Sequence, residues 1–152
     1  MKYVAISGPG EGASSDDRSR AYEAAGQLVS HGCVILTGGL GGVMAAAAAG
    51  AKAAGGTSIA ILPGLDRGST GDHTFTIPTG LGELRNGLLI RAADGVLIVG
   101  GSWGTLSEYA FSERTEVPVV TLGGWVMDPR AEVTAPAAAT VGEAVDALLG
   151  LI

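Results

Sequence analysis

The chain of 152 residues carries one cysteine, Cys33. A single thiol forms no internal disulfide and no cysteine-rich metal site. Cys33 opens the apolar run Val34-Ile35-Leu36 and reads as a small buried hydrophobe. Cations are also scarce: nine Lys plus Arg stand against fifteen acids, for a formal charge of −6. Binding a nucleic-acid backbone requires a basic face, so this balance argues against such a partner. The few dispersed cations suit one small anionic ligand instead. Long apolar runs are missing too. Val43 to Ala54 is alanine-dominated, contains Lys52 and is too short to span a bilayer. Met1-Lys2-Tyr3-Val4-Ala5-Ile6 enters a strand directly, with no signal-peptide core. A soluble, cytoplasmic protein without a membrane partner is the expectation.

Glycine is what the chain has in plenty, 26 residues, alongside a hydrophobic fraction of 47%. That suits an α/β protein whose helices pack closely through small residues, and the length suits one domain over residues 1–152. Five β-branched runs read as strands: Tyr3 to Ser7, Val34 to Thr37, Ser58 to Leu62, Val96 to Val99 and Val117 to Leu122. Each is nearly continuous, as in parallel strands covered on both faces. Helical patterns separate them. They run over Ser15 to His31, with Tyr22, Ala25 and Leu28 on one stripe, over Gly42 to Ala54, and over Leu81 to Ala93, with Leu84, Leu88 and Ala92 in register. Two more cover Leu106 to Arg114 and Val141 to Leu149. The alternation predicts a single Rossmann-like, doubly wound parallel sheet of about five strands flanked by helices. Two connections, Pro63 to Gly80 and Gly123 to Ala139, are long and irregular, and the first is a candidate ligand loop.

Three glycine loops follow strands. They are Gly8-Pro9-Gly10-Glu11-Gly12, Gly38-Gly39-Leu40-Gly41-Gly42 and Gly100-Gly101-Ser102-Trp103-Gly104. In a parallel sheet all three lie at the carboxyl edge, where open α/β sheets bind ligands. Gly8, Gly10, Gly38, Gly39, Gly41 and Gly42 are therefore candidate ligand contacts. The third loop opens a helix, whose free N–H groups and positive dipole end accept an anion. Gly100, Gly101, Ser102, Gly104 and Thr105 become candidate phosphate ligands. A G-x-G-x-x-G fingerprint would need glycine at Ala13, and no G-K-[ST] element is present, so NAD and ATP are poor fits.

Glu108 lies one turn into that helix, where a carboxylate can stabilise cationic charge on a sugar or orient a water. The alternative is that Thr105-Leu106-Ser107-Glu108 is a capping box, with Glu108 bonding back to its cap. Arg85 sits near a helix start, where the dipole disfavours a cation. It either meets an anion, pairs with Glu108, or forms a surface pair with Glu83 or Asp94. Trp103 and Trp125 either flank a flat ring or pack between loops. Arg67, Asp72 and His73 contact a ligand or belong to an exposed loop, and His31 is a helix-dipole partner.

Several motifs occur in an order that resembles a known superfamily. These are Thr37-Gly38-Gly39-Leu40-Gly41-Gly42-Val43-Met44, Gly50 to Gly56, Ile61-Leu62-Pro63-Gly64, Arg85-Asn86 and Gly100 to Glu108. Over about Lys2 to Leu122 the chain is similar to the Rossmann-like superfamily that includes the LOG cytokinin riboside 5′-monophosphate phosphoribohydrolases. Within it the chain resembles a bacterial branch that is also similar to molybdenum-cofactor carrier proteins. The resemblance implies phosphate binding by Gly100, Gly101, Gly104 and Thr105 and a homo-oligomer; Ser102 joins the phosphate candidates by its place in the loop, and Met44, Asn86 and Trp103 are further candidate ligand contacts. The resemblance further implies catalysis by Glu108 with Arg85, with no metal or redox cofactor. Two positions depart from the hydrolases: Val99 stands where they have Pro, and Asn86 where they have Lys. The loss of a cation at Asn86 bears on hydrolysis more than on binding. The expected function is cleavage of nucleoside 5′-monophosphates to base and ribose 5-phosphate. The alternative is a non-catalytic carrier for a phosphorylated ligand such as the molybdenum cofactor.

Overall fold

Runs of β-branched and apolar residues that lack alternation need cover on both faces, and in the computed structural model they have it. The structure describes residues 1–68, 71–125 and 135–152. Ser69 and Thr70 of the expected ligand loop, and residues 126–134 of the Gly123–Ala139 stretch, lie outside the described residues. The strands are β1 (Lys2–Ser7), β2 (Cys33–Thr37), β3 (Ser58–Leu62), β4 (Phe75–Pro78), β5 (Gly95–Val99), β6 (Val119–Leu122) and β7 (Ala137–Ala138). The helices are α1 (Ser15–Ser30), α2 (Val43–Ala53), α3 (Arg85–Ala92), α4 (Trp103–Arg114) and α5 (Val141–Leu149). The sheet has seven strands rather than about five, in the order β4-β3-β2-β1-β5-β6-β7. Every pairing is parallel. The two strands missed from the sequence are the edges. β4 alternates in exposure and β7 is two residues long, so neither carries a buried apolar run.

One face of the sheet packs Val4, Ile6 and Ile35 against Ala21, Ala25 and Leu28 of α1, Ala47 of α2, and Val145 and Leu148 of α5. The other packs Ala5, Leu36, Val96 and Ile98 against Leu89 and Ile90 of α3 and Tyr109 of α4. Two expected stripes are displaced. On α1 the buried residues are Ala21, Ala24, Ala25 and Leu28, and Tyr22 is 46% exposed. On α3 the buried residues are Arg85, Leu89 and Ile90, while Leu84 and Leu88 face outward. In both cases a large apolar side chain suggested the stripe, whereas the close packing admits alanine on α1 and turns α3 to bury its arginine. No helix among the described residues is long and apolar enough to cross a membrane.

The chain runs outward from β1 to β4, then returns to place β5 on the other side of β1. The reversal between β1 and β5 is the topological switch point, and the crevice above such a point is where open α/β sheets bind ligands. The first and third glycine loops leave β1 and β5 at that place. The second leaves β2 beside them.

Candidate functional site

α4 begins three residues earlier than expected. Gly100 takes a φ of 69° and turns the chain out of β5. Ser102 is the N-cap, and its hydroxyl accepts from the Thr105 N–H at 3.2 Å. Thr105 is therefore a helical residue, not a cap, and the Thr105–Glu108 capping box does not form. With Thr105 N–H taken, the Trp103 and Gly104 amides are left at the helix mouth with no intrahelical partner. Free amides at the positive end of a helix dipole are the groups that suit an anion.

Glu108 points inward instead. The residue is 6% exposed. Oε2 accepts from the Ser7 hydroxyl at the end of β1, and Oε1 lies 3.6 Å from Arg85 Nη1. Burial pushes the Glu108 carboxyl above the usual carboxylate range, against the opposing pull of the Ser7 hydrogen bond and Arg85. Arg85 is also 6% exposed, so it is no surface partner of Glu83 or Asp94; the Asp94 carboxylate accepts from the Tyr3 N–H instead. Burial lowers the Arg85 pKa and Glu108 opposes the shift. Arg85 Nη1 donates to Asn86 Oδ1 at 2.6 Å, and its buried Nε has no hydrogen-bond partner among the described residues.

Space for that guanidinium comes from Gly38, where a Cβ would stand 2.5 Å from Arg85 Nη2. The second glycine loop thus shapes the site from behind. At Gly42, with φ 59°, a Cβ would collide with the carbonyl oxygens of Gly10 and Pro9, so the first two loops touch backbone to backbone. A Cβ at Gly39 would meet Leu62, and Gly41 has nothing within 4 Å.

The cleft between these loops has a volume of about 140 Å³. Of the candidates from the sequence, Gly8, Gly10, Met44, Arg85, Asn86, Ser102, Gly104, Thr105 and Glu108 line it. Gly38, Gly39, Gly41, Gly42, Gly100, Gly101 and Trp103 do not. A Cβ at Gly100 would stand 2.8 Å from Asp17 Cγ and one at Gly101 would stand 3.1 Å from Trp125. Trp103 packs on Trp125 with ring centroids 5.3 Å apart, and Trp125 Nε1 donates to the Ser102 carbonyl. Leu40 and Glu83 also line the cleft and were not singled out from the sequence. Ser7 was missed as well; its signal is a hydroxyl closing an apolar strand just before a glycine loop.

The described residues of the long loop after β3 brace the cleft rather than line it. His73 Nε2 lies 2.6 Å from Thr37 Oγ1, which also accepts from the Gly39 N–H. Burial lowers the His73 pKa. Asp72 pairs with Lys52 at 2.9 Å in an exposed position, and Arg67 is exposed. His31 caps α1, its Nδ1 2.9 Å from the Gln27 carbonyl.

The raised Glu108 pKa has a measurable consequence. Well below pH ~4.3 both the folded and unfolded carboxyl are protonated. As pH rises toward the folded value, the unfolded state releases its proton first, so the native state loses stability. Glu108→Gln lacks that titration. The melting temperature of the variant minus that of the wild type is expected to rise from pH 4 to pH 7. A difference that is flat with pH would remove the burial effect.

Fold and site together define a Rossmann-like α/β protein with a glycine-walled cleft at its switch point. The SLOG cluster4 family model matches residues 1–146, and the chain belongs to that family. An uncharacterised protein of Archaeoglobus fulgidus is 36% identical over 123 residues, 80% of this chain and 82% of its own length. Among solved structures, the molybdenum cofactor binding protein of Rippkaea orientalis superposes with a TM-score of 0.88 at 31% identity, covering 96% of this chain and 94% of that one. The Moco carrier protein of Chlamydomonas reinhardtii gives 0.87 at 34% identity, covering 99% and 97%. DNA processing protein A of Helicobacter pylori, at 21% identity and a TM-score of 0.73, shares the fold; it covers 98% of this chain and 80% of that one.

Proposed function

We propose that this chain is a binding protein that holds a phosphorylated pterin of the molybdenum-cofactor type without cleaving it. The observation that carries the reading is full-length likeness to cofactor-binding and carrier proteins at above 30% identity. The site chemistry supports it. The ligand's phosphate sits on the Trp103 and Gly104 amides, with Ser102 and Thr105 beside it. Arg85 supplies positive charge and the spare donor Nε, whose burial without a partner is otherwise costly. Leu40 and Met44 offer an apolar wall to a flat ring. Glu108 acts as a strut: both oxygens are engaged, one by Ser7 and one by Arg85.

A second reading has one specific observation in its favour. Glu108 and Arg85 do line the cleft, so a phosphoribohydrolase would need only that a bound nucleotide displace Ser7 from the carboxylate. The two readings separate on affinity. Purified protein titrated with molybdopterin is expected to gain several degrees in melting temperature at ligand excess, as for any ligand that binds the native state alone. Stabilisation should persist, weakened, in Glu108→Gln, where the strut is neutral but present. No shift with molybdopterin would count against the carrier reading.

A further inference from the structure

Glu83 is out of place in an anion site. It lines the cleft beside Arg85 and Asn86 and is exposed; its carbonyl accepts from the Arg85 N–H, while its carboxylate makes no hydrogen bond or ion pair among the described residues. With Glu108 it places two carboxylates around one guanidinium in a cleft whose other wall is an anion cradle. A carboxylate near a bound phosphate weakens binding by repulsion unless the same ligand brings hydrogen-bond donors to it.

The backbone holds Glu83 in position. It is the middle residue of a 3-10 turn, Gly82–Leu84, that leads into α3. Gly80 and Gly82 on its approach have φ of 65° and 56°, and their N–H groups donate to the carbonyls of Gly64 and Pro63 at 2.9 and 3.0 Å. The Leu81 N–H donates to Thr79 Oγ1, and the Leu84 N–H to the Leu81 carbonyl. The carboxylate is therefore presented from a pinned turn, and Leu40 and Met44 add apolar lining to the same cleft.

We infer that Glu83 is a specificity residue that accepts hydrogen bonds from the ring N–H and 2-amino group of a 2-amino-4-oxopyrimidine ring. That edge is common to pterins and guanine and absent from adenine. A carboxylate matches its two adjacent donors in bidentate fashion, and bonds of this charged kind are the stronger ones. An adenine ring presents an acceptor nitrogen there, which faces the carboxylate with no proton between them. The inference rests on the phosphate-cradle reading of the same cleft and adds which ring the cradle's ligand carries.

The test is a calorimetric titration with GMP, IMP and AMP, which share the phosphate and differ at that edge. Wild type is expected to bind GMP about tenfold more tightly than AMP, with IMP between. In Glu83→Gln the GMP affinity falls by about tenfold while AMP is unchanged or improves, because a charged bond is lost and a repulsion relieved. Equal affinity for GMP and AMP in the wild type, or a parallel rise for both in Glu83→Gln, overturns the inference and leaves the phosphate cradle standing. If none of the three nucleotides nor molybdopterin binds the wild type, the cradle reading falls and the inference with it.

Discussion

Replacing Arg85 with Met is expected to cost about 3–5 kcal/mol of stability at pH 8, the usual penalty for stranding one member of a buried ion pair. Both partners are 6% exposed, and among the described residues the variant leaves the Glu108 carboxylate with the Ser7 hydroxyl as its one remaining partner. Part of the penalty is avoidable by protonation, since an uncompensated buried carboxyl raises its pKa rather than stay charged. The loss should therefore shrink as pH falls toward 5, where the neutral acid forms readily. Adding Glu108→Gln to Arg85→Met should recover most of the stability at pH 8, because no charge then remains buried. Denaturant unfolding at the two pH values reads all of this. A single variant that loses under about 1 kcal/mol at pH 8 would show that the pair is solvated.

The second large effect is expected at Gly42. Its φ of 59° disfavours any side chain, and a Cβ there would overlap the carbonyl oxygens of Gly10 and Pro9. Those are backbone atoms and cannot swing aside. The Val43 N–H donates to the Pro9 carbonyl at 3.0 Å, so the clash also pulls apart the bond joining the first two loops. Gly42→Ala should lose about 3 kcal/mol or more, combining left-handed strain with the steric shift, and should abolish ligand binding because Gly8 and Gly10 move with the loop. Gly41→Ala is the control. It has open space and no positive φ, so stability should stay within about 0.5 kcal/mol. Equal losses in the two variants would contradict the loop-contact account.

How far the sequence discloses this site can be traced residue by residue. Gly8-Pro9-Gly10 and Gly100 to Thr105 were legible because glycine after an apolar strand fixes both the turn and the sheet edge. Strand order was not, since β4 and β7 lack buried runs to announce them, yet the switch point needs only β1, β2 and β5. The Arg85–Glu108 pair could be suspected from a cation misplaced against the helix dipole, and the structure closes it at 3.6 Å. What local pattern cannot supply is the direction of a side chain. Thr105-Leu106-Ser107-Glu108 satisfies a capping rule, but Ser102 three residues earlier outcompetes it for the Thr105 amide. Leu40 and Glu83 reach the site through tertiary placement, and no short-range signal marks them, whereas Ser7 carries only the faint one of a hydroxyl that ends an apolar strand before glycine.

Whether the cleft holds or cuts its ligand is decided most directly by incubating the wild-type protein with GMP and AMP and following free base and ribose 5-phosphate by chromatography. With Glu108 braced between Ser7 and Arg85, the nucleotides are expected to emerge intact while still raising the melting temperature. Base release that disappears in Glu108→Ala would contradict this and make the same cleft a phosphoribohydrolase.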